Sequence, residues 1–194
     1  MLVDAKLQKA KVAIAGLGGL GSHIALSLGR LGVGSLLLVD DDVVDSSNLS
    51  RQNYDVRHLG LPKSQALQSQ LEMISAFVRV EARRVRVTED NVAELFGGYD
   101  VLCEAFDREE EKAMLVSAAL TQLPHLKVVA ASGVAGYGSA NQIHTVRRMK
   151  NLYICGDHES SLDLGAGLMA PRVQICAGHQ ANMVVRLLLG IEEA

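Results

Sequence analysis

Residues 12–40 read VAIAGLGGLGSHIALSLGRLGVGSLLLVD, and this stretch decides the fold class. Val12 to Ala15 form a short apolar run of the kind that a buried strand needs. Gly16, Gly18, Gly19 and Gly21 follow at once, and Ile24, Leu28 and Leu31 then recur at helical spacing. Strand, tight turn and helix in that order suit a bound phosphate. Glycines let the backbone approach an anion with no Cβ in the way, while the first helical N–H groups and the helix dipole face the negative charge. An acidic residue is then expected about twenty positions on, at the end of the next strand, to take ribose hydroxyls. Asp40, which closes Ser35 to Val39, stands in that place. A glycine-rich turn alone also occurs where a helix merely packs close to a strand. With strand, helix and acid in phase, the nucleotide reading is the better one, and its default owner is a nicotinamide-dependent enzyme.

The polar cluster after Asp40 shifts that expectation toward a triphosphate. Asp41, Asp42 and Asp45 add acid beside the ribose position, and Ser47, Asn48, Arg51 and Gln52 supply hydroxyl, amide and guanidinium groups. Lys63 follows twelve residues after Arg51. Arg51 can make a planar, two-pronged contact with a phosphate, whereas Lys63 acts as a mobile point charge. Either cation alone reads as a solvated surface charge. Together, beside the glycine turn, they read as a phosphate cradle.

GLGGLGS at 16–22, LLLVDDDVVDSSNLSRQ at 36–52, LGLPK at 59–63 and DVLCEAFD at 100–107 resemble the ThiF/MoeB family, relatives of ubiquitin-activating enzymes that adenylate the C-terminal glycine of a small carrier protein. The likeness runs from Lys11 to Gly190 and is nearest to the short, ThiF-like branch linked to sulfur carriers in thiamine synthesis. It implies Gly19 against the phosphates, Asp40 on the ribose, Asn48, Arg51 and Lys63 on the triphosphate, and Asp107 on a catalytic Mg²⁺. Gly16, Gly18, Gly21, Asp42, Ser47 and Gln52 complete the expected nucleotide site. A homodimer and a ubiquitin-like carrier ending in Gly-Gly are likewise what the resemblance implies.

The residue types suit that chemistry in their own right. Making an acyl-adenylate displaces pyrophosphate from ATP, so negative charge grows on phosphate oxygens where Arg51 and Lys63 would stand, and no protein nucleophile is required. Asp107 ends the run 100–106, which reads as a buried parallel strand, and ligands of open α/β sheets bind at the carboxyl ends of strands. A helix N-cap is the competing role for Asp107, since Arg108 and three glutamates follow. The family has Asn where Arg108 stands.

Composition fits a single α/β domain over 1–194: 48% hydrophobic and 21% charged residues, with a net charge of −3. That charge gives no general attraction to nucleic acid. Arg83, Arg84 and Arg86, and also Arg147, Arg148 and Lys150, read as solvated faces. No apolar run approaches the roughly eighteen residues of a membrane span, and the charged start of the chain lacks a signal-type core, so a cytoplasmic protein is expected. Cys103, Cys155 and Cys176 suggest no disulfide framework, and without a CxxC pair no structural zinc is expected.

Strands are predicted near 11–15, 35–40, 78–87, 100–105 and 126–131, with helices near 20–31, 63–75, 90–96, 108–122 and 174–188. This alternation predicts a Rossmann-like, doubly wound, mostly parallel sheet. Gln142 to Val146 is read as a sixth strand, antiparallel to the rest. Ile175, Met183, Val184, Leu187 and Leu188 mark a core or dimer face on the last helix.

Cys155, in the polar segment Cys155 to Glu159, is the candidate for a mobile, activated thiol, with an unreactive loop cysteine as the alternative. His158 and His179 lack motif partners and read as exposed or packed histidines. Family members bring an arginine from an N-terminal helix into the neighbouring subunit's site. Arg57 and Arg172 are the candidates to replace it. Other readings compete with carrier adenylylation: a small-molecule or tRNA-borne carboxylate as acceptor, an NAD-dependent oxidoreductase, and a non-catalytic carrier-binding scaffold.

Overall fold

Four apolar runs form the middle of a mostly parallel sheet: β1 (Lys11–Ala15), β2 (Ser35–Val39), β4 (Val101–Glu104) and β5 (Lys127–Ala131). They are almost wholly buried because helices cover both faces, so their sequences run apolar without alternation. The computed structural model describes residues 5–160 and 167–194. Among these, the sheet is completed by β3 (Arg79–Arg83), β6 (His144–Met149) and β7 (Leu152–Gly156), in the order β3-β2-β1-β4-β5-β7-β6. All neighbouring pairs are parallel except β6 with β7.

The side chains of each central strand alternate between two cores. Val12, Ile14, Leu36, Leu38, Cys103 and Val129 face α2 (Gly19–Leu31), α3 (Lys63–Ile74) and α6 (Ala170–Leu189). Ala13, Ala15, Leu37, Val39, Leu102 and Val128 face α4 (Val92–Phe96) and α5 (Glu109–Gln122). Met183, Val184 and Leu187 of α6 are buried, as the apolar face of that helix predicted. A short α1 (Ala5–Lys9), not anticipated from sequence, precedes β1.

Three boundaries differ from expectation for identifiable reasons. β3 stops at Arg83, short of the predicted 87, because its partner β2 ends at Val39 and leaves nothing to pair with. α6 begins at Ala170 with Pro171 in its first turn, where a missing N–H costs nothing. The predicted antiparallel strand is present but shifted to His144–Met149, and it pairs with a seventh strand, β7, which was not predicted and whose end overlaps the polar segment read from Cys155 on. Among the described residues no helix is long and apolar enough to cross a membrane.

The chain leaves β1 for β2 on one side, while β4 lies on the other side of β1. That reversal opens a crevice at the carboxyl ends of β1 and β4, the position where ligands of such sheets bind.

Candidate active site

Gly16 makes the turn out of β1 with φ of 86°, a left-handed conformation that disfavours any other residue. A Cβ there would also lie 2.7 Å from the Ala105 carbonyl oxygen, so the turn sits directly against the end of β4. At Gly21 a Cβ would collide with the Gly16 carbonyl itself. The glycines therefore close the turn onto itself and against the end of β4. Asp40 locks the turn from the side: its Oδ2 accepts the Leu17 N–H at 2.6 Å and its Oδ1 accepts the Asp42 N–H at 2.8 Å. Burial pushes the Asp40 carboxyl above its ordinary pKa, opposed by the nearby Lys63 ammonium and by those two N–H groups.

Beyond β2 the polar segment folds into two short 3₁₀ turns, each started by an aspartate. Asp45 accepts the Ser47 N–H while Asn48 Oδ1 accepts the Asp45 N–H, and Asp55 accepts the Arg57 N–H. Asn48 thus holds the segment's own shape. Val44 and Leu61 close its base through a backbone bond of 2.9 Å, and buried Val44 and Tyr54 anchor it to the core. Gln52 Nε2 lies 3.7 Å from where a Gly18 Cβ would stand, and the Arg51 carbonyl oxygen and Cγ lie 3.8 Å and 3.9 Å from the same point on Gly19. Arg51 Nε and Gln52 Oε1 are buried and have no hydrogen-bond partner. Lys63, almost wholly buried at the start of α3, gives its Nζ to Asp42 Oδ2 at 2.7 Å. The glycines, Asp40, Asp42, Arg51, Gln52 and Lys63 are therefore in one place.

A glycine turn of this form, an acid at the end of β2 and a cation-bearing segment folded over the helix start match a known family. The ThiF family model covers residues 3–194. The chain belongs to the ThiF family. It is 32% identical over 192 residues to the sulfur carrier protein ThiS adenylyltransferase of Escherichia coli, an alignment covering 96% of this chain and 75% of that one. To the molybdopterin-synthase adenylyltransferase of Haemophilus influenzae it is 36% identical over 197 residues, covering 96% and 77%. The E. coli tRNA N6-threonylcarbamoyladenosine dehydratase TcdA, crystallised with AMP, shares the fold, with a TM-score of 0.85, 22% identity and coverage of 95% and 88%.

Asp107 lies three residues past the end of β4 and two past the Ala105 carbonyl that abuts Gly16. Asp107 is exposed. It does not cap α5: Arg108 occupies the cap position and makes no side-chain capping bond, so the competing N-cap role is set aside. Asp40, Asp41 and Asp42 bring carboxylate oxygens within 4.8 Å of one another, the one such acidic group among the described residues, and Asp107 is not in it.

Cys155 is corrected. It lies in β7 and not in a polar loop, is fully buried, and shares a 3.3 Å contact between its Sγ and Thr145 Oγ1. Burial pushes its thiol up to about 11. Cys103 and Cys176 are buried as well. The two candidates for the replacement arginine differ in their surroundings. Arg57 is clamped to Asp55 by three hydrogen bonds between 2.6 and 3.2 Å. Arg172 is buried on α6 in an ion pair with Asp157 and also donates to the carbonyls of Gly138 and Ser139. Cys155 and Arg172 therefore serve the fold, whereas Arg57 stands at the surface.

Several residues at the crevice were not singled out from sequence. Tyr54 donates its hydroxyl to the Leu17 carbonyl at 2.8 Å, and Asn53 and His23 join the arginine segment to α2. Behind the Asp107 turn, the buried Glu104 accepts the Phe106 N–H at 2.7 Å and pairs with Lys112 at 2.8 Å. The roles of Tyr54, Asn53 and His23 depend on two distant segments meeting, which no spacing along the chain encodes.

Proposed function

We propose that the protein adenylylates the C-terminal glycine carboxylate of a small ubiquitin-like sulfur carrier ending in Gly-Gly, of the thiamine-synthesis type, using ATP and releasing pyrophosphate. The observation that carries this reading is the pair of buried, unpartnered atoms Arg51 Nε and Gln52 Oε1 beside the glycine turn. Buried polar atoms nearly always have partners. A nucleotide offers both kinds, phosphate oxygens for the guanidinium and O–H or N–H donors for the amide. The relatives support adenylyl transfer to a protein, since the E. coli protein is named an adenylyltransferase of the sulfur carrier ThiS and the H. influenzae protein a molybdopterin-synthase adenylyltransferase.

In this reaction a carboxylate oxygen of the carrier bonds to the α-phosphorus of ATP as the bond from that phosphorus to the α,β-bridging oxygen breaks, and the electron pair leaves on that oxygen with pyrophosphate. Arg51 and Lys63 stabilise the charge that grows on the departing oxygens, with Asp42 holding the lysine in place. Asp40 fixes the turn and faces the ribose position. For Mg²⁺ the ligand would be Asp107, an exposed carboxylate just past the carboxyl end of β4 and a hard oxygen donor of the kind that cation takes, and the cation would neutralise phosphate charge when bound. A homodimer and a cytoplasmic setting belong to the same reading.

Equilibrium binding of Mg²⁺-ATP and of NAD to the wild type and to Arg51→Ala tests it, followed by carrier-dependent pyrophosphate exchange. Preference for ATP, weakened roughly tenfold or more in the variant, is expected from loss of a charge-assisted contact. NAD preference, or an ATP affinity indifferent to Arg51, would overturn the adenylating reading.

A further inference from the structure

We infer that His23 is a positioning residue for Arg51: a neutral imidazole, one turn beyond Gly19 on α2, that clasps the arginine-bearing segment to the phosphate-binding turn. The inference rests on the proposed nucleotide site and deepens it. Both ring nitrogens are engaged. Nε2 lies 3.3 Å from the Arg51 carbonyl oxygen, and Nδ1 lies 2.6 Å from Asn53 Nδ2. A carbonyl oxygen can only accept, so Nε2 carries the proton; an amide nitrogen can only donate, so Nδ1 is bare. That pattern is satisfied by one tautomer of the uncharged ring. Partial burial, the larger influence, also lowers the pKa of His23, against the opposing pull of the Arg51 carbonyl.

The clasp has a definite geometry. Gly19 and His23 are four residues apart on α2 and so share one face of the helix. The Arg51 backbone lies over that face, its carbonyl 3.8 Å from the point a Gly19 Cβ would occupy. Ser22 Oγ accepts the Asn53 N–H at 3.1 Å, and from α3 Gln70 Nε2 donates to the Asn53 carbonyl at 2.8 Å. Together with Tyr54 on the Leu17 carbonyl, these bonds leave residues 51–54 little freedom relative to the glycine turn. Among the described residues the Arg51 guanidinium has one internal bond, from its Nη1 to the Ser47 carbonyl at 3.1 Å, so its aim depends on where its backbone is pinned. His23 pins it at the arginine itself. Its task is to set the guanidinium's direction, and it need not touch the nucleotide.

A double-mutant cycle in Mg²⁺-ATP binding separates this role from general support of the fold. His23→Ala is expected to weaken ATP binding roughly five-fold in the otherwise native chain, and by less than about two-fold when Arg51 is already alanine. His23→Gln, whose amide can still donate to the Arg51 carbonyl, should recover most of the loss, which guards against a folding defect in the alanine variant. Equal losses in both Arg51 backgrounds would overturn the inference. An independent reading comes from the ¹⁵N spectrum of the imidazole. The expected signal is the neutral ring protonated at Nε2; a ring protonated at Nδ1, alone or as imidazolium, would sink the clasp whatever the ATP result. Should Arg51→Ala leave ATP binding unchanged, the nucleotide reading fails, and this spectrum still decides the clasp.

Discussion

A thiolate is the reactive form of cysteine, and Cys155 is held in surroundings that oppose it. Its sulfur is enclosed between β7 and α6, with only the Thr145 hydroxyl as a stabilising neighbour, and burial pushes the pKa up to about 11. At pH 8 a thiol of that kind is almost entirely protonated and shielded besides. Native protein treated with iodoacetamide is therefore expected to keep all three cysteines unmodified, while the same reagent in denaturant labels all three. Mass spectrometry reads the difference. Rapid labelling of Cys155 in the folded protein would return it to the role of a transferring thiol. At the same scale, Gly16, Gly21, Asp40, Arg51 and Lys63 were singled out in the sequence by their spacing and company, and the structure brings them together. His23, Asn53 and Tyr54 were not, although they lie within or just beyond the same stretch, because histidine, asparagine and tyrosine have many uses and theirs is fixed by a partner segment some thirty residues away.

The turn between β4 and α5 depends on an ion pair that is hidden from solvent on the carboxylate side. Glu104 has no exposed surface, and Lys112 Nζ meets its two carboxylate oxygens at 2.9 and 2.8 Å while also donating to the Phe106 carbonyl at 3.1 Å. These bonds staple the residues on either side of Ala105 and so set where Asp107 begins. Lys112→Met removes the counter-charge and leaves a carboxylate in the core, at a cost of about 3–5 kcal/mol. Urea unfolding is expected to move accordingly, and the double variant Glu104→Gln with Lys112→Met should recover much of the loss. A Lys112→Met protein as stable as the wild type would mean that water reaches Glu104. Elements also differ in how openly the sequence declares them. β1, β2, β4 and β5 are apolar runs covered on both faces, and any such run bounded by turns announces a buried strand. β7 has four comparable residues, Leu152 to Cys155, but Gly156 and Asp157 adjoin them and blur the boundary. What makes those residues a strand is pairing with β5 on one side and β6 on the other, a non-local fact.

Across the whole molecule, Arg172 joins parts that lie far apart in the chain: the first turn of α6, the end of β7 through Asp157, and the backbone at Gly138 and Ser139. Burial by itself would raise the Asp157 carboxyl, but the N–H groups of Ser160 and Glu159 and the Arg172 guanidinium more than offset it and hold the pKa at about 2. The unfolded chain binds this proton near the ordinary 3.8. Above that value both states are ionised and the full contribution is present. As pH falls from 3.8 toward about 2 the unfolded state takes up the proton first, so stability drains away in that window. The shift corresponds to about 2 kcal/mol. Denaturant unfolding at a series of pH values should therefore give a wild-type curve steeper between pH 4 and 2 than that of Asp157→Asn. The variant should also be less stable at pH 7, because Arg172 stays buried without its counter-charge. If the two curves run parallel through the acid range, Asp157 titrates normally in the folded protein and the junction it makes with α6 is open to water.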